Sequence, residues 1–242
     1  MNAMLVSLAA GMCTLLGAAL AWQIGHPGEG LLHGLLGFAA GMMVIITFID
    51  LLPESASGGR PALLTFLVAL FLFAVAIRLL QPVPALSASQ SSGSAQAYLR
   101  MGWTLVAAIA LHDLPEGFAI GAATGENVRT GTAVALALAA HNVPEGITIA
   151  VPFLAAKGRN PLPLLLAGLD ALLSPLGTAA AGWVSQSAVT GGVVLADAIA
   201  AGAMLAVCAV ELLPEAFSQR RRAALLGCCC GAVLAAIFGL AL

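Results

Sequence analysis

Charge is what this chain has least of. Of its 242 residues, 8% are Asp, Glu, Lys or Arg, against about 25% in an ordinary soluble domain. A folded soluble protein must clothe its outside in polar groups, and a composition that is 61% hydrophobic leaves too few to do so. A soluble enzyme, a nucleic-acid binder and a disordered chain are excluded on that ground. The first 20 residues carry no Lys or Arg. They lack the basic start of a secretory signal and are expected to remain as a first membrane span. There is no CxxC. Cys13, Cys208, Cys228, Cys229 and Cys230 all lie in apolar stretches and are expected to be small buried hydrophobes. The period-two alternation of an outer-membrane barrel strand is missing as well.

What is present is a series of continuous apolar runs rich in Ala, Leu and Gly, with a mean hydropathy of +1.03. The fold class is therefore an all-α polytopic membrane protein. A span needs about 20 apolar residues, and the chain has room for eight: roughly 4–24, 31–55, 61–80, 98–123, 130–156, 164–185, 193–217 and 223–241. They form one transmembrane domain over 1–242. Residues 81–97, rich in Pro, Ser and Gln, are its one clear linker. Loops rich in Lys and Arg stay in the cytoplasm. The loops after odd-numbered helices hold Arg78, Arg100, Lys157, Arg159, Arg220, Arg221 and Arg222; the others hold only Arg60 and Arg129. Seven against two places the linker in the cytoplasm and both termini outside it. Trp22, Trp103 and Trp183 lie near helix ends and read as interfacial belt residues.

Two internal repeats follow. FIDLLPES at 48–55 in the second helix is echoed by AVELLPEA at 209–216 in the seventh. HDLPEG at 112–117 in the fourth is echoed by HNVPEG at 141–146 in the fifth. The members of each pair run in opposite directions through the membrane, which is the sequence mark of an inverted-repeat transporter.

The same repeats carry the chemistry. His112 and Glu116 are four apart and share a helical face, and Asp113 leans the same way. Pro115 is expected to kink the helix, and Gly117 admits a close neighbour. His141, Asn142, Pro144, Glu145 and Gly146 repeat the pattern. Packed antiparallel, the two helices bring two imidazoles, three carboxylates and one amide to a common point. Charged groups at that depth mark ion pathways, and imidazole with carboxylate suits Zn²⁺, Fe²⁺ or Mn²⁺. Asp50 and Glu54 near the outer end of the second helix are expected to act as relays on one side. Glu211 and Glu215 near the inner end of the seventh do so on the other. Asp170 also lies in apolar context, and Asp197 reads as interfacial. His26 and His33, by the turn between the first two helices, read as solvated loop histidines that could at most receive metal.

HDLPEG followed by HNVPEGITIAVP, with eight spans and a cytoplasmic loop between the third and fourth, resembles the ZIP (Zrt/Irt-like protein) metal transporters, and most closely their bacterial GufA-like branch. The likeness covers essentially the whole chain. It implies uptake of divalent metal into the cytoplasm across the cell inner membrane, zinc foremost, with Cd²⁺, Fe²⁺ or Mn²⁺ beside it. It implies a 3+2+3 arrangement, helices 1–3 and 6–8 around helices 4 and 5, in a homodimer within the lipid bilayer. It implies a binuclear centre: His112, Glu116, His141 and Glu145 as the main site, Asp113 and Asn142 with the bridging glutamates as the second. Two departures stand out. Many relatives have Glu before the proline of the sixth helix, where this chain has Ser174 before Pro175, so the second metal is expected to bind weakly, with Asp170 one turn away as part of an exit path. Many also have a His-rich third loop, whereas 81–97 contains no histidine.

The rival readings are an intramembrane metalloenzyme and a non-selective cation channel. A zinc protease wants HExxH and a ferritin-like di-iron site wants ExxH; the order here is HxxxE, so no enzyme is expected. Inverted repeats and soft imidazole ligands disfavour the channel.

Overall fold

The computed structural model describes residues 2–80, 95–183 and 186–241. All regular structure among them is helical. The elements are α1 (Ala3–Ile24), α2 (Glu29–Ile46), α3 (Leu52–Ala56), α4 (Gly59–Leu80), α5 (Ala95–Glu126), α6 (Val128–Lys157), α7 (Leu162–Asp170), α8 (Leu173–Trp183), α9 (Gln186–Val207), α10 (Leu213–Ala216) and α11 (Arg221–Ala241). Seven helical runs among the described residues are long and apolar enough to cross a membrane, and α11 is an eighth long helix. Their outward faces are apolar: Leu64, Phe71, Leu79 and Leu226 are exposed, as side chains in lipid contact should be. Cys229 and Cys230 are exposed as well, and only Cys208 is fully buried, which corrects the expectation of five buried thiols. Most of the linker lies outside the described residues.

Local chemistry sets the ends. Asn2 caps α1 by accepting from the Met4 N–H, and Asn127 caps α6 by accepting from the Arg129 N–H, each satisfying an otherwise orphaned donor. α1 and α6 stop at Gly25 and Gly158, whose positive φ of 79° and 65° suits glycine.

Prolines then shape the middles in three ways. α5 and α6 run on as α-helices through Pro115, Pro144 and Pro152. The second span instead widens ahead of Pro53 into a π-helical turn at Thr47–Leu51, where the Leu52 N–H donates to the Thr47 carbonyl five residues back. The seventh span does the same ahead of Pro214, at Cys208–Leu212, with Leu213 donating to Cys208. In both, the extra residue relieves the proline ring's clash with the carbonyl four residues earlier. The sixth span is interrupted by a two-residue turn. Pro175 gives no N–H to the Ala171 carbonyl, and the chain leaves the helix at Ala171 and Leu172 between α7 and α8.

Glycines set the packing, and the contacts come in matched sets. A Cβ on Gly146 of α6 would collide with the Thr14 carbonyl of α1, and one on Gly117 of α5 with the Ser174 carbonyl of α8. Gly17 meets Val143 as Gly177 meets Leu114. Thr14 and Gly17 therefore stand to α6 as Ser174 and Gly177 stand to α5. Gly11 of α1 packs on Ala171 itself, where the two sets meet. Helix pairs correspond likewise: α1 on α6 and α8 on α5, α2 on α6 and α9 on α5, α4 on α9 and α11 on α2.

Candidate metal centre

The two HxxPEG segments meet where α5 crosses α6, and their polar side chains turn inward. His112, Asp113, Glu116, His141, Asn142 and Glu145 are each at most 1% exposed. The His–Glu pairs form across the interface. His112 Nε2 lies 2.9 Å from Glu145 Oε1, and His141 Nε2 lies 3.1 Å from Glu116 Oε2. His112 Nε2 is also 3.4 Å from Asp113 Oδ1 and 4.0 Å from Glu116 Oε1. Ligand atoms of His112, Asp113, Glu116 and Glu145 all lie within 4.8 Å of one another.

The hydrogen bonding of this cluster is incomplete. His112 Nδ1 donates to the Ala108 carbonyl at 3.2 Å, so in the neutral ring Nε2 presents a lone pair. That lone pair faces carboxylate oxygens that are also acceptors, and a proton or a metal cation must lie between them. Among the described residues, eight of the eleven buried side-chain N and O atoms without a hydrogen-bond partner belong to Asp113, Glu116, His141, Asn142, Glu145 and Asp170. Buried acceptors are costly to leave without a donor, and a divalent cation with oxygen and imidazole ligands would satisfy them together.

Residues 83–239 match the family model described as ZIP zinc transporter. The chain belongs to the ZIP family. It is 34% identical over 235 residues to the zinc transporter ZupT of Corynebacterium efficiens, an alignment covering 89% of this chain and 87% of that protein. It is 36% identical over 236 residues to the ZupT of Chlorobium phaeovibrioides, covering 88% and 87%. Against an Escherichia coli ZupT the figures are 34% over 221 residues, 88% and 86%. A ZIP chain with this many apolar helices is a multi-pass membrane transporter and not an enzyme.

The remaining candidate residues of this ZIP chain fall into three groups. Asn142 turns its amide Nδ2 to the Ala10 carbonyl of α1 at 2.9 Å, leaving Oδ1 as the atom it can offer a ligand. Asp113 stands in the matching place on α5, and what it faces across the interface is Asp170 at the end of α7. Asp170 is 3% exposed and lies beside the cluster. Ser174 is buried too, with its backbone against Gly117.

Glu211 lies buried in the π turn at Cys208–Leu212, and Glu215 is half-buried in α10. The side chains of Asp50 and Glu54 lie outside the described residues. Asp197 is buried at 3%. Trp183 is 90% exposed, whereas Trp22 donates to the Asn160 carbonyl and Trp103 packs edge-on against Phe153.

His33 departs furthest from expectation. It belongs to no loop: α2 begins at Glu29, and His33 in its second turn is wholly buried. His26, in the loop, does have a partner in the Leu154 carbonyl at 3.0 Å.

Proposed function

We propose that this protein carries divalent metal, zinc foremost, across the cell inner membrane into the cytoplasm, with the α5–α6 cluster as its central site. The observation that carries the reading is the reciprocal pairing of two imidazoles with two carboxylates in a buried interface where most acceptors lack a donor. His112, Glu116, His141 and Glu145 hold the main ion. Asp113, the Asn142 Oδ1 and Asp170 form a second, weaker pole, since Ser174 brings no carboxylate to it. Cd²⁺, Fe²⁺ and Mn²⁺ share the donor types and follow zinc through the same path.

The matched glycine contacts and helix pairs support a 3+2+3 plan, with the first three spans related to the last three by inversion around α5 and α6. The relation of Thr14–Gly17 to Ser174–Gly177 is the most specific part of that support. The Arg-rich loops favour extracytoplasmic termini and a cytoplasmic 81–97 linker within one domain spanning 1–242. The working unit is a homodimer in the lipid bilayer. Asp50 and Glu54 deliver metal from outside, and Glu211 and Glu215 pass it inward.

Purified protein in liposomes that enclose a zinc-sensing dye tests the reading. Saturable Zn²⁺ entry is expected, without conductance to K⁺. Absence of metal-dependent entry would overturn the reading, and K⁺ conductance would favour a non-selective channel.

A further inference from the structure

The helix seams around α2 and α6 are unevenly tight. Gly37 and Gly41 bring α2 against the Ala224 and Cys228 carbonyls of α11, and Gly227 and Gly231 of α11 return the contact at Gly34 and Phe38. α6 is drawn the other way, onto α1, by Gly17 and Gly146. Among the described residues no such glycine draws α6 toward α11. What remains between them is an apolar cleft of about 450 Å³. Its walls include Phe38 and Met42 of α2, Leu136, Ala140 and Pro144 of α6, and Leu234 of α11. A second groove, also about 450 Å³, runs along α11 from Cys229 to Ile237. Phe38 and Leu234 border both and form the ridge between them.

Apart from the thiols of Cys229 and Cys230, neither groove has a polar side chain in its lining. Water finds no partners in such a space, and leaving it empty forfeits dispersion contacts along every wall. Two grooves of equal size divided by a ridge suit a molecule with two apolar tails better than the single cylinder of a second copy's helix.

The α6 side of the cleft also has a charged end. Leu136, Ala140 and Val143 follow Arg129 by seven, eleven and fourteen residues, which puts all four within about 40° on one helical face. Arg129 is exposed, and among the described residues its guanidinium has no ion-pair partner. From Arg129 to Pro144 is about 22 Å along the helix axis. One leaflet offers about 15 Å of hydrocarbon beneath roughly 6 Å of headgroup. The floor of the cleft at Pro144 therefore lies one lipid length from the guanidinium.

We propose that one diacyl phospholipid binds here, in the leaflet away from the Arg-rich loops. A tail fills each groove astride Phe38 and Leu234, and the phosphate rests on Arg129, whose planar fork suits it. The site is separate from the metal cluster. Ala140, Val143 and Pro144 line the cleft, whereas His141, Asn142 and Glu145 turn into the α5–α6 interface. The tail lies against the back of the metal-bearing segment.

Native mass spectrometry of the full-length protein, purified in detergent and supplied with phosphatidylglycerol, tests the site. One diacyl lipid per chain is expected to stay bound. Ala140→Trp, which fills the cleft, should abolish retention. Arg129→Gln should weaken it by about fivefold, the worth of one arginine near a membrane surface. Leu64→Trp, on the exposed face of α4, should leave it unchanged. Phosphatidylglycerol should raise the thermal midpoint of the unaltered protein and not that of Ala140→Trp, whose midpoint without lipid shows that it folds. A further readout leaves the sequence alone: phosphatidylglycerol with a diazirine at the end of one tail should label 136–144 of α6 and 229–237 of α11 above all other segments. No retained lipid, equal retention of single-tailed lysophosphatidylglycerol, retention that survives Ala140→Trp, or label spread evenly around the bundle would each overturn the site.

Discussion

His112 Nε2 lies 2.9 Å from Glu145 Oε1 on the neighbouring helix and 4.0 Å from Glu116 Oε1 on its own. The HxxxE spacing puts both groups of each motif on one face, and the crossing then exchanges the partners. Each carboxylate is held by the other helix's imidazole. Glu116→Gln or Glu145→Gln therefore disturbs both motifs. Either change should lower Zn²⁺ uptake by about 10–100-fold with the protein still in the membrane, as read by dye-loaded liposomes and by membrane fractionation. Wild-type uptake in both would remove the cluster from the path.

Close packing at Gly146 gives a prediction about stability. Its missing Cβ is replaced by the Thr14 carbonyl of α1, which is backbone and cannot swing aside. Gly146→Ala should destabilise the detergent-solubilised protein by roughly 1–3 kcal/mol, seen as a lower midpoint of thermal unfolding. Gly168→Ala, at a position with open space around it, should leave the midpoint within experimental scatter.

Ser174 gives a prediction about stoichiometry. A hydroxyl is a weak, neutral ligand, and two dications held close together need negative charge. Ser174→Glu should raise zinc bound per chain toward two, measured by metal analysis after dialysis. An unaltered protein already holding two equally tight ions would mean that Asp113 and Asp170 supply all the charge the second pole needs.

Orientation is tested by labelling. Single cysteines placed within 81–97, on a background lacking the native five, should react with a membrane-impermeant maleimide only from the cytoplasmic side. Reaction from the outside would reverse the entry and exit roles given to Asp50 and Glu211.

The helical class and the meeting of the HxxPEG motifs were legible because hydropathy and an i,i+4 spacing act locally. Three features were not, each for a nameable reason. His33 reads as solvated because it lies beside the turn between the first two spans, and nothing local in the sequence tells that the Glu215 carbonyl of α10 packs over it. The turn at Ala171 and Leu172, ahead of Pro175, is not visible either, because the segment reads as a regular helix extended through Ser174. The π turns left no mark in the sequence beyond the prolines themselves. Pro115 and Pro144 are accommodated without one, so a proline alone does not announce how its strain will be relieved.

The π turn at Cys208–Leu212 holds one residue more than an α-helix needs to join α9 to α10. This is a spare residue, and it makes the length of the chain locally adjustable. An in-frame deletion of Ala209 would let the segment rewind as plain α-helix with α9 and α10 still seated on their neighbours. Glu211 would then change its aim while the rest of the bundle stayed as it is. Here, as at the matching turn that carries Asp50, a pathway carboxylate is redirected by residue count alone, with no substitution at all.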